Sequence, residues 1–551
     1  MNEDEKLAAL FRQQFDKHMD LNPVIATILG YKHEKYDHLL PDGSLRAFEE
    51  NILLTMNQKL QLGTDIDYAS LSEDGKLDLD LLTFFLDLQL FQSNELAFWR
   101  SGAPGLSGVG LIAQAIYFLY SREFAPLETR VKSIIGRLNA TPRFLEETKS
   151  TFQFPVKLWI ETAIEEGART IGFLQLILHT LKPNLNEDLF QELTKAIEVA
   201  SSAIQQYSDW LTTEILPISS HHWEIGPQKF ARLVELRRIG KTPEEILQIG
   251  EKALIDTKKE MEKLTQEIFP DKTVEEVRET LKNDHPPTFE MVLEHISDLN
   301  KEAREFVLKN ELMDLPEGER LQVLTTPSYL VPLLPFAAYI SPEKFSKDQT
   351  GIYIVTPTEG RDEMLKEHSY ASCKNTAVHE GYPGHHVQLT AANLQPSLIR
   401  SIVQGEETVE GWAHYCEQLM AEKGFLGKKE IFIQLLDQLW RAVRIIVDIK
   451  LHTSQMTFDE AKDFMITEIG MNEQAVLAEL KRYTFTPGYQ FSYLLGKFMI
   501  LELRDEVKQK MGSLYSDRFF HNTILESGGI PIEFLRRLFN IRIAELQLNG
   551  T

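Results

Sequence analysis

The feature that most limits how this chain can fold is its helical period. Apolar side chains recur every three to four positions through most of the sequence. That spacing gathers them on one face of an α-helix and leaves the residues between them to solvent. Residues 128–151 follow the period, with a break expected at Pro142, whose ring and missing N–H oppose an unbroken helix. Residues 186–215 follow it up to Pro217. Thr242-Pro243-Glu244-Glu245 marks a start: Thr to cap, Pro in the first turn, and Glu three residues after the cap to bond back. The helix it opens, 244–268, stops before Pro270, and another is expected at about 287–311.

Segments with strand character are few. Leu321–Thr325, Tyr329–Val331 and Gly351–Val355 are short, rich in β-branched or aromatic residues, and bounded by Pro or Gly. The expected fold is therefore mainly α, with a small sheet inserted in a helical protein. At 551 residues the chain exceeds one ordinary core and calls for several sub-domains or one multi-lobed unit. The expected division is a helical part, 1–315, and a part carrying the sheet and the chemistry, 316–551. No low-complexity linker separates the two, so the boundary is soft and leaves room for one intertwined unit.

Charge and cysteine content exclude several functions. The formal charge of −24 opposes broad binding to nucleic acid or to an anionic membrane. Cys373 and Cys416 are the two cysteines, too few for a disulfide framework or a cysteine-rich zinc module. A metal site in this chain must rest on His and carboxylate. The opening MNEDEKLAAL lacks the basic and apolar parts of a secretory signal. The most apolar run, Tyr329–Ile340, carries Pro332 and Pro335 and is too short to span a bilayer. These features lead to the expectation of a soluble cytoplasmic protein.

Chemistry concentrates in TAVHEGYPGHHVQ, Thr376–Gln388. A zinc-peptidase helix reads His-Glu-x-x-His, with both His on one face and the Glu as general base. Here Pro383 stands where the second His would be, and the stretch reads His-Glu-x-x-Pro-Gly-His. Pro383 cannot bond the carbonyl of His379, and Gly384 adds backbone freedom, so the helix must kink, bulge or break. On an unbroken helix at about 100° per residue, His386 would share the face of His379. Across a kink with two extra residues His385 would take that place, and periodicity does not choose between them.

A catalytic zinc takes three protein ligands and keeps one position open. Glu410, opening the segment EGWAHYCE, is the best third candidate. Glu410, His414 and Glu417 share a helical face there, so His414 or Glu417 can orient a ligand by hydrogen bond. His221-His222 has no neighbouring carboxylate cluster and reads as surface. GAPGLSGVG, Gly102–Gly110, lacks the Lys-Ser/Thr of a phosphate loop.

HEGYPGHH followed by EGWAHYCE resembles the bacterial family called domain of unknown function 885. Asn22–Asp42 is similar to that family's opening segment, Thr486–Lys497 to its Pro-Gly-…-Tyr-x-x-Gly-Lys element, and Phe520–Pro531 to its closing turn, which contains His521. The resemblance covers essentially the whole chain. It implies a mainly α-helical, clamshell-like architecture similar to large zinc peptidases of the Glu-ligand class, with a deep cleft. It implies a zinc-dependent hydrolase with His379, His385 and Glu410 as ligands and His386 in reserve.

With zinc as cofactor, Glu380 would serve as general base to the attacking water. Tyr493 and Tyr489 would be donors to the developing oxyanion. Arg482 could hold a substrate carboxylate, and the edge of Gly351–Val355 could pair with an extended peptide. The expected substrate is a short peptide or other small amide. Two alternatives stand beside it: a zinc hydrolase of non-peptide amides or esters, and a catalytically silent peptide-binding protein.

Overall fold

The computed structural model describes residues 2–105, 108–326, 337–357 and 362–549. The fold is mainly α, with one small three-stranded sheet among the described residues. Its contacts divide the chain into two compact units. The first comprises Met1–Ser70, Phe85–Trp223 and Glu343–Phe345; the second comprises Leu71–Phe84, Glu224–Pro342 and Ser346–Thr551. Position 315 falls inside the second unit. Among the described residues no helix is long and apolar enough to cross a membrane.

The core of the first unit lies among helices α1 (Val109–Ser121), α2 (Leu127–Thr148), α3 (Lys157–Leu181) and α4 (Glu187–Trp210). Ile112, Ile116, Ile134, Leu138, Leu193 and Ile197 from these helices are almost fully buried together. Asn186 caps α4 by accepting from the Leu189 N–H at 2.9 Å. The break expected at Pro142 does not occur: α2 runs through it. Leu138 before the proline and Phe144 and Leu145 after it are buried in the same core. Packing on both sides outweighs the one hydrogen bond that Pro142 cannot make.

The second unit carries the sheet and the helices that surround it. Helix α5 (Pro243–Ile268) starts as its sequence requires: Glu245 N–H donates to Thr242 Oγ1 at 3.2 Å, and Thr242 N–H donates to Glu245 Oε2 at 2.7 Å. Helix α6 (Phe289–Lys309) covers the sheet, and its Val292, Ile296 and Leu299 share a buried cluster with Tyr353 and Val355. The sheet comprises β1 (Arg320–Thr325), β2 (Ala337–Ile340) and β3 (Thr350–Val355) in the order β1-β3-β2. β1 is parallel to β3, and β2 is antiparallel to it. The segment Tyr329–Val331 lies outside the described residues. β2 was not expected from sequence; it is four residues long and gains strand geometry by pairing with β3. β3 is central, with Tyr353 facing Val323 on one side and Tyr339 on the other. Its backbone groups are already paired, so Gly351–Val355 is not an edge that a peptide can extend.

The helices around the candidate site are α7 (Tyr370–Thr376), α8 (His385–Asn393), α9 (Glu406–Glu422), α10 (Lys428–His452), α11 (Glu473–Tyr483), α12 (Ser492–Met511) and α13 (Asp517–Leu525). α9 and α12 meet through two glycines. A Cβ on Gly411 would lie 2.4 Å from the Gly496 carbonyl carbon, and one on Gly496 would lie 2.1 Å from the Glu407 carbonyl oxygen. This close approach sets Glu410 against the first turn of α12.

Candidate metal centre

After α7 the chain widens into a π-helical turn, Ala377–Gly381, and α8 then begins anew at His385. Pro383 has no N–H to offer the His379 carbonyl; the Gly384 N–H instead reaches back to the Val378 carbonyl at 3.0 Å. A Cβ at position 384 would lie 1.9 Å from the His379 oxygen, so only glycine fits this turn. Helix α9 holds the Pro383 carbonyl, with Trp412 Nε1–H donating at 2.9 Å and Cys416 Sγ–H at 3.5 Å. The break is therefore anchored on α9 at Pro383 and closed by the Gly384–Val378 bond, and it decides which histidine faces the site.

It brings His385, not His386, to His379. One ligand atom each from His379, His385 and Glu410 lies within 4.8 Å of the other two. The two imidazole rings stand at 87° with centroids 4.9 Å apart. His385 Nε2 is 3.5 Å from Glu410 Oε2, and the two side chains are 11% and 13% exposed. Two donors about 2.1 Å from one tetrahedral zinc would stand about 3.4 Å apart. His385 Nδ1 is buried with no hydrogen-bond partner among the described residues. Two imidazoles and a carboxylate are a donor set that suits zinc. On this geometry the residues fit the implied ion.

A second layer fixes the first. His379 Nδ1–H donates to Glu417 Oε1 at 2.7 Å, because a carboxylate can only accept. That bond leaves the lone pair on Nε2, the nitrogen available to a metal. Glu417 is fully buried and also accepts from Asn375 Nδ2 at 3.2 Å. His414 Nδ1 lies 3.3 Å from it and an Arg441 nitrogen 3.9 Å. Burial favours the neutral acid, but the surrounding His414, His379 and Arg441 hold Glu417 well below the usual carboxylate range. Burial pushes His414 down to about 3, so it stays neutral.

Burial likewise opposes charge on Glu410. The bond to His385 and that from Tyr489 overcome it and hold its carboxyl down to about 2. Burial lowers His385, yet Glu410 and then Glu380 raise it above the ordinary imidazole value. Glu380 is partly buried. Its carboxylate is held by no hydrogen bond or ion pair among the described residues. Tyr489 donates its hydroxyl to Glu410 Oε1 at 2.5 Å, and Tyr493 lies 3.4 Å from Tyr489 hydroxyl to hydroxyl. Both tyrosines sit where the Gly411–Gly496 approach brings α12 against Glu410.

His386 points elsewhere. It is fully buried, with Nε2 2.8 Å from Glu319 Oε2 and Nδ1 3.1 Å from the Tyr339 hydroxyl. Tyr382 also donates to Glu319, as does Arg304 Nε at 2.9 Å. Arg482 pairs with Glu479 at 2.8 Å on its own helix. His521 is a buried structural group: Nδ1–H donates to the Leu312 carbonyl at 2.7 Å, and Nε2 accepts from Tyr415 at 2.8 Å. Cys373 and Cys416 are buried free thiols that burial keeps protonated. His221 and His222 are exposed.

Sequence reasoning missed Glu319, Asn375 and Arg441, and with them Asp437, which accepts from Asn375 Nδ2 at 3.0 Å, and Arg444, whose guanidinium lies 4.8 Å from the Tyr493 ring centroid. Asn375 is one helical turn before His379 and was open to discovery by that spacing. Asp437, Arg441 and Arg444 follow the i, i+4, i+7 spacing of one face of α10, which marks a face but names no target. Glu319 precedes a strand, and no local pattern distinguishes it.

A family model described as "Bacterial protein of unknown function (DUF885)" matches residues 23–539. Two solved structures share the fold. One is from Shewanella oneidensis, a protein of unknown function whose description as a lipoprotein is provisional. It is 21% identical, with a TM-score of 0.79 over 96% of this chain and 99% of that one. The other, from Colwellia psychrerythraea and likewise provisionally described as a lipoprotein, is 20% identical. Its TM-score is 0.82 over 99% of this chain and 100% of that one. No curated protein matches the chain.

Proposed function

Because the chain belongs to this bacterial family of unknown function, we propose its activity from the site itself: a zinc-dependent hydrolase, specifically a metallopeptidase that cleaves short peptides. The observation that carries the reading is the convergence of His379, His385 and Glu410 to within 4.8 Å, with Glu417 on the far nitrogen of His379.

His379, His385 and Glu410 would hold the ion. A bound zinc supplies Lewis acidity that brings the pKa of a water towards ~7. Glu380 follows His379 directly, and its carboxylate is not committed to any described partner. It accepts the proton of the attacking water and passes it to the leaving nitrogen. Tyr493 offers its hydroxyl to the developing oxyanion, while Tyr489 is already committed to Glu410. Burial and the Glu410 charge keep both phenols protonated at neutral pH, as a donor requires. Glu417 holds the tautomer and orientation of His379.

The test is Glu380→Gln. The variant should bind one zinc per chain by elemental analysis, as the unaltered protein does. Its kcat on short peptides should fall by about 10²–10⁴-fold. Small amides and esters assayed in parallel identify the bond class. Unchanged hydrolysis by Glu380→Gln would remove the general base from the mechanism, and absence of zinc from the unaltered protein incubated with excess metal would remove the reading.

A further inference from the structure

Two arginines beside the candidate site share one carboxylate. Arg444 Nη2, on α10, and Arg482 Nη2, on α11, lie 2.9 and 2.8 Å from the same oxygen of Glu479. Tyr483 donates to that oxygen at 2.8 Å and accepts from Arg444 Nε at 2.9 Å. Two guanidinium charges thus meet a single negative one. The nearby Arg441 does not change this balance, because it has its own carboxylates, Asp437 at 3.5 Å and Glu417 at 3.9 Å. A chain of net charge −24 keeps an uncompensated cation here. The more exposed of the two, Arg482, is left able to pair with a second carboxylate.

The pair is also aimed. Arg444 is clamped between aromatic rings, with its guanidinium 4.2 Å from the Trp440 centroid and 4.8 Å from that of Tyr493. Arg482 lies 6.0 Å from the ring centroid of Tyr489 and keeps 35% of its side chain exposed, against 7% for Arg444. Tyr489 is the residue that bonds Glu410. The path from Glu410 through the Tyr489 ring to Arg482 is at most about 11 Å, the reach of about three extended residues.

We propose that Arg482, backed by Arg444, receives the carboxylate at the C-terminus of the substrate, which makes the protein a carboxypeptidase releasing fragments of up to three residues. This rests on the hydrolase reading above. In the step, the amide C–N bond breaks and water oxygen forms the new C–O bond. Glu380 passes one water proton to the amine of the released fragment, the new carboxyl sheds the other to complete that ammonium group, and the fragment's own carboxylate stays on Arg482. Guanidinium and carboxylate match in shape and charge, and Arg482 Nη2 is its one nitrogen already bonded to a described residue.

The experiment compares N-acetylated peptides ending in a free acid with the same peptides ending in an amide. The unaltered protein should cleave the free acids with a kcat/KM about 10–100-fold higher, mainly through KM. Arg482→Gln should lose most of that preference, Arg482→Lys should restore part of it, and the zinc content of both should match the unaltered protein. Calorimetric binding of an N-acetyl dipeptide acid and its amide to the zinc-loaded protein probes the subsite without turnover. Preferential binding of the acid, abolished by Arg482→Gln, supports the carboxylate subsite; if nothing is cleaved, the hydrolase reading and the carboxypeptidase assignment fall while the subsite stands. Equal affinity for acid and amide overturns the proposal. So does recovery of binding by an amidated peptide with a glutamate side chain, which would assign the carboxylate to a side chain.

Discussion

At the scale of single residues, Glu417 organises the candidate centre more than any of the three proposed ligands does. One carboxylate faces His379, Asn375, His414 and Arg441. Glu417→Gln keeps the volume but removes the charge that fixes the His379 tautomer. Zinc affinity, measured by competition with a fluorescent chelator, should fall about 10–100-fold. Far-ultraviolet circular dichroism should show the helices intact; an unchanged affinity would reduce Glu417 to a packing group. The sequence places Glu417 and His414 on the face of Glu410, which one helical repeat suffices to establish. It does not reveal Asp437 or Arg441 as neighbours, because their place depends on how α10 packs.

At the scale of elements, two contacts build the site. One is the break between α7 and α8, where Pro383 ends one helix and Gly384 admits the His379 carbonyl. The other is the glycine contact between α9 and α12. In Gly496→Ala the new methyl would meet the Glu407 carbonyl and force the helices apart. Urea unfolding should show a loss of about 1–3 kcal/mol. Gly172→Ala is the matched control: it sits in an exposed turn of α3 with nothing near its added Cβ. It should gain about 0.5–1 kcal/mol from lower chain entropy. Equal effects at the two sites would show that the close approach is not what limits residue 496. Sequence periodicity located α2, α4, α5 and α6, but it set no bounds for the helices around the site. It misjudged Pro142 because a local rule does not weigh the core on either side, and it placed β3 at an edge because pairing partners are not local.

At the scale of the whole molecule, acid stability should follow the buried histidines, and His521 is the clearest case. Burial lowers it to about 4 from the ordinary 6.5, with Leu312 and Asp517 opposing that shift and Arg504 and Lys423 reinforcing it. Between about pH 6.5 and 4 the unfolded chain therefore binds a proton here that the folded chain refuses. Stability is complete above that window and is lost as pH falls through it, by up to about 1.4 kcal/mol per pH unit from this group. Urea midpoints at pH 7 and pH 5 should converge in His521→Gln relative to the unaltered protein. The same drop in both would assign the acid sensitivity to other groups.

The sequence by itself determined the helical class, the start of α5, and the restriction of any metal site to His and carboxylate. Each of these follows from local spacing or from composition. It also contained His379, Glu380 and Glu410 at helical spacings, and its family resemblance pointed to His385. Spacing left His385 and His386 open, and only the tertiary structure gave the physical ground: His385 joins His379 and Glu410 while His386 turns to Glu319. A proline-broken helix has no single rotation per residue, so the choice waits on what holds each side of the break, here Trp412 and Cys416 on one side and Glu319 on the other. The sharing of Glu479 by Arg444 and Arg482 was hidden for a related reason. The two arginines lie on different helices, and charge balance is a property of a neighbourhood that only packing creates.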